Sequence, residues 1–126
     1  MSRAGHDRCI DYVEFTTRDL AAAKKFHAAV FGWVFTDYSP AYSSFTDGRL
    51  SGGFTAQPGA PRQANPLIVI FAADLAAAQA RVLAAGGAIT VAAHEFPGGR
   101  RFHFSDPAGL ELAVWSDRRA DGSAIA

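Results

Sequence analysis

Four side chains in this sequence could move a proton or hold an anion, and each stands in a run of alternating residues. Glu14 lies mid-run in "CIDYVEFTT", where Tyr12, Glu14 and Thr16 fall on one face of a strand and Val13 and Phe15 on the other. If the first face lines a cleft, burial favours the protonated carboxyl and makes Glu14 a candidate general base or acid. The plainer reading is a carboxylate bonded to Tyr12, Arg100 or Arg101, or one that is simply solvated. Arg101 and His103 share a face of "RRFHFS". Turned inward, Arg101 could hold a ligand anion and His103 could move a proton; turned outward, both are ordinary strand residues. Glu111 shares a face of the last strand with Ala113 and Trp115, and carries the same ambiguity as Glu14.

The elements that must position these residues are written twice. "TTRDLAAAKKF" and "FAADLAAAQAR" carry the same five residues, Asp19 to Ala23 and Asp74 to Ala78. Each copy follows a strand-like run, "CIDYVEFTT" or "PLIVIFAA", and opens a helix on an aspartate N-cap. Leu20, Ala23, Phe26/His27 and Val30 recur at helical spacing, as do Leu75, Ala78, Val82 and Ala85. Gly32 and Gly86 follow the last turns, where a left-handed cap belongs. Three shorter strand-like pieces come next in each half: "WVFTDY", "AYSSFT" and "LSGGFTA", then "AITVAAH", "RRFHFS" and "LELAVWS". The turns "FTDG" and "FSDPAG" repeat as well, and both are hairpin signals.

This pattern predicts an α+β fold of two βαβββ modules, their strands forming a curved eight-stranded mixed sheet around a cleft with the helices outside. Module one is expected over about 8–56 and module two over about 66–117. A Pro/Gly-rich linker over about 57–65 joins them, and a polar tail over 118–126 is expected to fray. Leu67, Val69 and Phe71 would line the wall opposite Tyr12, and Phe54 matches Trp115 in the repeat. The expected pocket is therefore apolar and aromatic, with two carboxylates and a phenol, and suits a small flat organic molecule. Its residues are Tyr12, Phe54, Leu67, Val69, Arg101, Glu111, Ala113 and Trp115, with Glu14 and His103 as the catalytic candidates. Trp33 reads as core or dimer packing, His27 as a residue on the flank of its helix, and His94-Glu95 as an exposed loop. His6 falls in a terminal stretch. Gly98-Gly99 reads as a hairpin tip, and Gly52-Gly53 as a bulge or a close backbone approach.

The stretches "IDYVEFTTRDLAAAKKFHAAVFGWVF" and "GGRRFHFSDPAGLELAVWS" resemble the vicinal oxygen chelate superfamily, which contains glyoxalase I, bleomycin-resistance proteins and extradiol dioxygenases. The resemblance runs over about residues 9–116 and implies a homodimer. Enzymes of that superfamily usually hold one divalent metal in the cleft, where it polarises an oxygen pair on the substrate. Counted from Asp19-Leu20 and Asp74-Leu75, two of the ligand positions the resemblance implies fall at Tyr12 and Leu67. The position after the "D-P-x-G" turn falls at Ala113, and its counterpart matched through "FTDG" falls near Gly52. Leu, Gly and Ala offer no donor, and a phenol ionises only near ~10. A divalent ion needs three or more donors at once. The expectation is thus a cleft with no metal and no cofactor that binds an apolar or aromatic small molecule. The alternatives are a metal-dependent lyase, isomerase or dioxygenase with relocated ligands such as Glu14, His103 and Glu111, and a non-catalytic regulatory dimer.

Composition limits the partners. Lys plus Arg and Asp plus Glu are equal, at 12 each, so no broad positive field invites nucleic acid or an anionic membrane. Hydrophobic residues make up 49% of the 126 and charged residues 19%, the balance of a folded domain. Cys9 is the one cysteine, which excludes an internal disulfide and makes a Cys-based zinc site unexpected. "MSRAGHDR" has no apolar stretch, so a cytoplasmic location is expected.

Overall fold

The computed structural model describes Arg8 and residues 10–59 and 67–123. His6, Cys9 and most of the expected linker lie outside them. The chain divides into two compact units, residues 1–60 and 61–126.

The first unit runs β1 (Tyr12–Thr17), α1 (Leu20–Phe31), β2 (Val34–Ser39), β3 (Tyr42–Thr46) and β4 (Ser51–Ala56). Its sheet has the order β1-β4-β3-β2, with β1 and β4 parallel and the other pairs antiparallel. The second unit runs β5 (Val69–Phe71), α2 (Leu75–Ala84), β6 (Ala88–Phe96), β7 (Gly99–Ser105) and β8 (Glu111–Ser116). Its order, β5-β8-β7-β6, repeats that of the first with the same parallel and antiparallel pairings. The α+β class and the two βαβββ modules are as the repeat predicted, and the eight strands are hydrogen-bonded as two sheets of four.

Local chemistry explains the boundaries. Asp19 and Asp74 each accept a hydrogen bond from the backbone N–H three residues on, both at 3.0 Å, and so start the two helices. The ends differ. Gly32, at φ 71°, closes α1 with one bond from its N–H to the Ala28 carbonyl. In α2 the N–H groups of Gly86 and Gly87 bond back to Leu83 and Val82, a Schellman ending with Gly86 in the left-handed region. The aspartates of the two repeated turns do the same work. Asp47 Oδ1 accepts from the N–H groups of Arg49 and Leu50, and Asp106 Oδ1 accepts from those of Ala108 and Leu110. The second turn is therefore one residue longer.

Each helix covers one face of its own sheet. Ala23, Phe26, His27 and Val30 are the buried stripe of α1. His27 is not a flank residue as expected: it is fully buried, stacked on Trp33 with ring centroids 4.9 Å apart and planes 11° apart. Trp33 stacks in turn on Phe45 at 4.5 Å and 8°, which places it in the core. Phe15 and Phe54 complete this aromatic layer, 5.1 Å apart. In the second unit Leu75, Ala78 and Val82 of α2 are buried, as are Phe102, Phe104, Leu112 and Val114 of its sheet. One further expectation is corrected. His94-Glu95 belongs to β6, paired with Arg101 and Arg100, because the strand runs on to Phe96 before the hairpin turns. In the tail, Arg119 and Ser123 close a backbone turn at 2.8 Å.

Candidate functional site

The helix of each module seals one face of its sheet and leaves the other open. On the open face of the first sheet the residues are polar. Tyr12, Glu14 and Thr16 of β1 lie beside Ser51, Gly53 and Thr55 of β4, with Tyr42, Ser44 and Thr46 of β3 following across the ladder. Tyr42 donates its hydroxyl hydrogen to Glu14 Oε2 at 3.2 Å and shares a second hydrogen bond with the Tyr12 hydroxyl, in which either oxygen could donate. Gly53 makes this possible: a Cβ there would run into the Tyr42 hydroxyl and come within 2.7 Å of that of Tyr12. A groove of 680 Å³ opens here, lined among others by Asp11, Tyr12, Thr36, Tyr38 and Tyr42.

The hydrogen bond with Tyr12, then burial, then the bond to Glu14 push the Tyr42 phenol well above the usual tyrosine range. A raised phenol pKa means the neutral form is favoured by folding. That stability is present below the ordinary value of about 10 and is lost as pH rises through the higher one. Ultraviolet titration of the three tyrosines should therefore show one late-ionising phenol, and that late phase should vanish in Tyr42→Phe.

The open face of the second sheet is apolar, crossed by the His103 and Arg101 side chains of β7. Val69 and Phe71 of β5 pair with Ala113 and Trp115 of β8, which pair with His103 and Arg101 of β7. The rings of Phe71 and Trp115 meet edge to face, 5.2 Å apart and at 69°. Phe96 lies 6.4 Å from Trp115 and carries the Arg101 guanidinium 5.7 Å above its ring. Glu111 accepts a hydrogen bond from the Thr90 hydroxyl at 2.8 Å and stands 3.7 Å from Nδ1 of His103.

These positions bring together Val69, Arg101, His103, Glu111, Ala113 and Trp115, as their shared face in the sequence predicted. Tyr12 and Glu14 share the open face of the other unit. Leu67 is half-buried and precedes β5, which begins only at Val69. One expectation is corrected. Phe54 belongs to the helix side: it is opposite Phe15, fully buried, and packs against His27, Phe35 and Phe45. Glu14 is exposed and accepts from Tyr42, close to the plainer reading of a bonded or solvated carboxylate. The sequence reading missed Tyr42, Thr90 and Phe96. The alternation Tyr42, Ser44, Thr46 was the available sign of the first.

The expected metal position in module one also shifts. Gly52 turns towards the helix-side core, and Gly53, opposite Glu14, occupies the place that Ala113 holds opposite Val69. Gly53, Ala113 and Leu67 still offer no donor, and the Tyr12 phenol is engaged by Tyr42. The residues at the customary positions therefore do not fit a divalent ion. Among the described residues no group of three or more His, Cys, Asp or Glu could hold one. Nor, among them, is any helix long and apolar enough to cross a membrane.

Comparison with known proteins places this geometry. Residues 9–114 match the Glyoxalase/Bleomycin resistance protein/Dioxygenase superfamily. CFP32 of Mycobacterium tuberculosis (strain CDC 1551 / Oshkosh) is 30% identical across 91% of this chain and 48% of its own length. The anthracycline biosynthesis protein DnrV of Streptomyces peucetius is 32% identical across 85% of this chain and 46% of its own. The chain thus spans about half the length of these relatives. Among solved structures, a glyoxalase/bleomycin resistance protein/dioxygenase family enzyme from Burkholderia phytofirmans PsJN superposes with a TM-score of 0.73. It is 22% identical, and the match covers 85% of this chain and 98% of that one.

Proposed function

Because the chain belongs to the Glyoxalase/Bleomycin resistance protein/Dioxygenase superfamily, we propose that it binds a small flat organic molecule, and does so without a divalent ion at the superfamily's customary positions. The observation that carries this reading is the open face of the second sheet. Val69 and Phe71 are 41% and 53% exposed there, beside Trp115, and form an apolar wall with polar groups at one end. Exposed aromatic surface of this kind, edged by a few fixed hydrogen-bonding groups, is what a planar ligand recognises. The donor-poor positions Gly53 and Ala113 support the second half of the proposal. Assembly as a homodimer and a cytoplasmic setting belong to the same reading.

The test is a thermal-shift screen of flat aromatic compounds on protein stripped with a chelator, repeated with Ni, Zn, Fe or Mn added back. A compound held at 100 times its Kd should stabilise the fold by about 2.7 kcal/mol, a rise in Tm of roughly 10 °C, with or without metal. A shift that appears only when metal is restored would establish the metal-dependent enzyme instead.

A further inference from the structure

Two nitrogen atoms on β7 of the second sheet are buried and, among the described residues, lack a hydrogen-bond partner: Nε of Arg101 and Nε2 of His103. An unmet buried donor costs about 1–3 kcal/mol, so such atoms in a folded protein mark a place where something else is expected to bind. The two residues are alternate positions on β7 and therefore share a face. Their neighbours across the ladder cannot satisfy them. Arg101 is opposite Trp115 on one side and His94 on the other, and His103 is opposite Ala113 and Val91. Glu111 is held by Thr90 and faces His103 from its Nδ1 side. Nε2 is left for an occupant.

We infer that Arg101 and His103 form an anion subsite that takes the carboxylate of a flat aromatic acid, with the ring of that acid lying against Trp115 and Phe71. Arg101 Nε can only donate, and the guanidinium is always charged, so whatever fills its vacancy is an acceptor. His103 can donate from Nε2 to a carboxylate, with Glu111 3.7 Å from Nδ1 on the far side. The Phe96 ring beneath the guanidinium keeps Arg101 in place. This inference rests on the proposal that the same face binds a flat ligand, and narrows it to an acid.

Calorimetric titration with 2-naphthoate and 2-naphthamide separates the two statements, since the probes share a ring system and differ in charge. The naphthoate should bind at least about tenfold more tightly, the effect of a charge-assisted hydrogen bond. Arg101→Gln should bring the naphthoate down towards the level of the amide, and Arg101→Lys should restore part of the difference. Equal binding of the two probes by the natural chain would overturn the anion subsite while leaving the flat-ligand reading intact. So would an Arg101→Gln variant that keeps the preference. Binding of neither probe would overturn both. The comparison on the natural chain needs no variant to fold.

Discussion

Gly52→Ala should cost about 3 kcal/mol or more, whereas the same change at Gly53 should leave the fold nearly as stable as before. The two glycines are neighbours on β4, but they point to opposite sides of the sheet. A Cβ on Gly52 would lie 2.5 and 2.6 Å from Cζ and Cε1 of Phe45 and would press still closer on the Val13 carbonyl. Neither can retreat. Phe45 is stacked on Trp33 and packed against Phe54, and the Val13 carbonyl is part of the backbone of β1, the parallel neighbour of β4. A Cβ on Gly53 meets the phenol ends of Tyr42 and Tyr12, which can swing outward. That variant should fold and lose the Tyr12–Tyr42–Glu14 contacts. Urea unfolding of both variants decides the matter: a stable Gly52→Ala beside a damaged Gly53→Ala would mean that the strand presents its other face.

Phe54→Ala should cost about 3–5 kcal/mol, the usual result of emptying a fully buried aromatic site. Its ring touches those of Phe15, His27, Phe35 and Phe45, and these belong to β1, α1, β2 and β3, so the cavity would lie where the whole first module converges. Ligand affinity of the protein that remains folded should not change, because no part of the side chain reaches the open face. Thermal melts paired with calorimetry on a flat probe read both quantities. Weakened binding with an unchanged Tm would return Phe54 to the ligand-binding face.

The errors about Phe54 and Gly52 have one cause. Aligning the repeats through the glycines of "FTDG" and "FSDPAG" makes the second turn two residues longer, whereas the ladders show one, and beyond that turn the match slips by one position. In a strand a slip of one exchanges the two faces. Phe54 then looks like the partner of Trp115, when its place in the ladder, opposite Phe15, is that of Val114, opposite Ile70. The rest of the last strand was legible because Glu111, Ala113 and Trp115 were read directly from their own alternation. The helix starts were legible for a similar reason: Asp19 and Asp74 act within three residues of themselves. The pairings of Tyr42 and Thr90 were not legible, since their partners Glu14 and Glu111 are 28 and 21 residues away and only the sheet brings them together.

The aromatic stack behind α1 has a practical consequence. The two indoles of the chain fall one to each unit, Trp33 sandwiched between His27 and Phe45, and Trp115 half-buried on an inner strand of the second sheet beside Phe71. Each half therefore carries its own fluorophore, one enclosed among rings and one half open to quenchers. Emission from the two can report separately on whether the halves come apart together or in sequence.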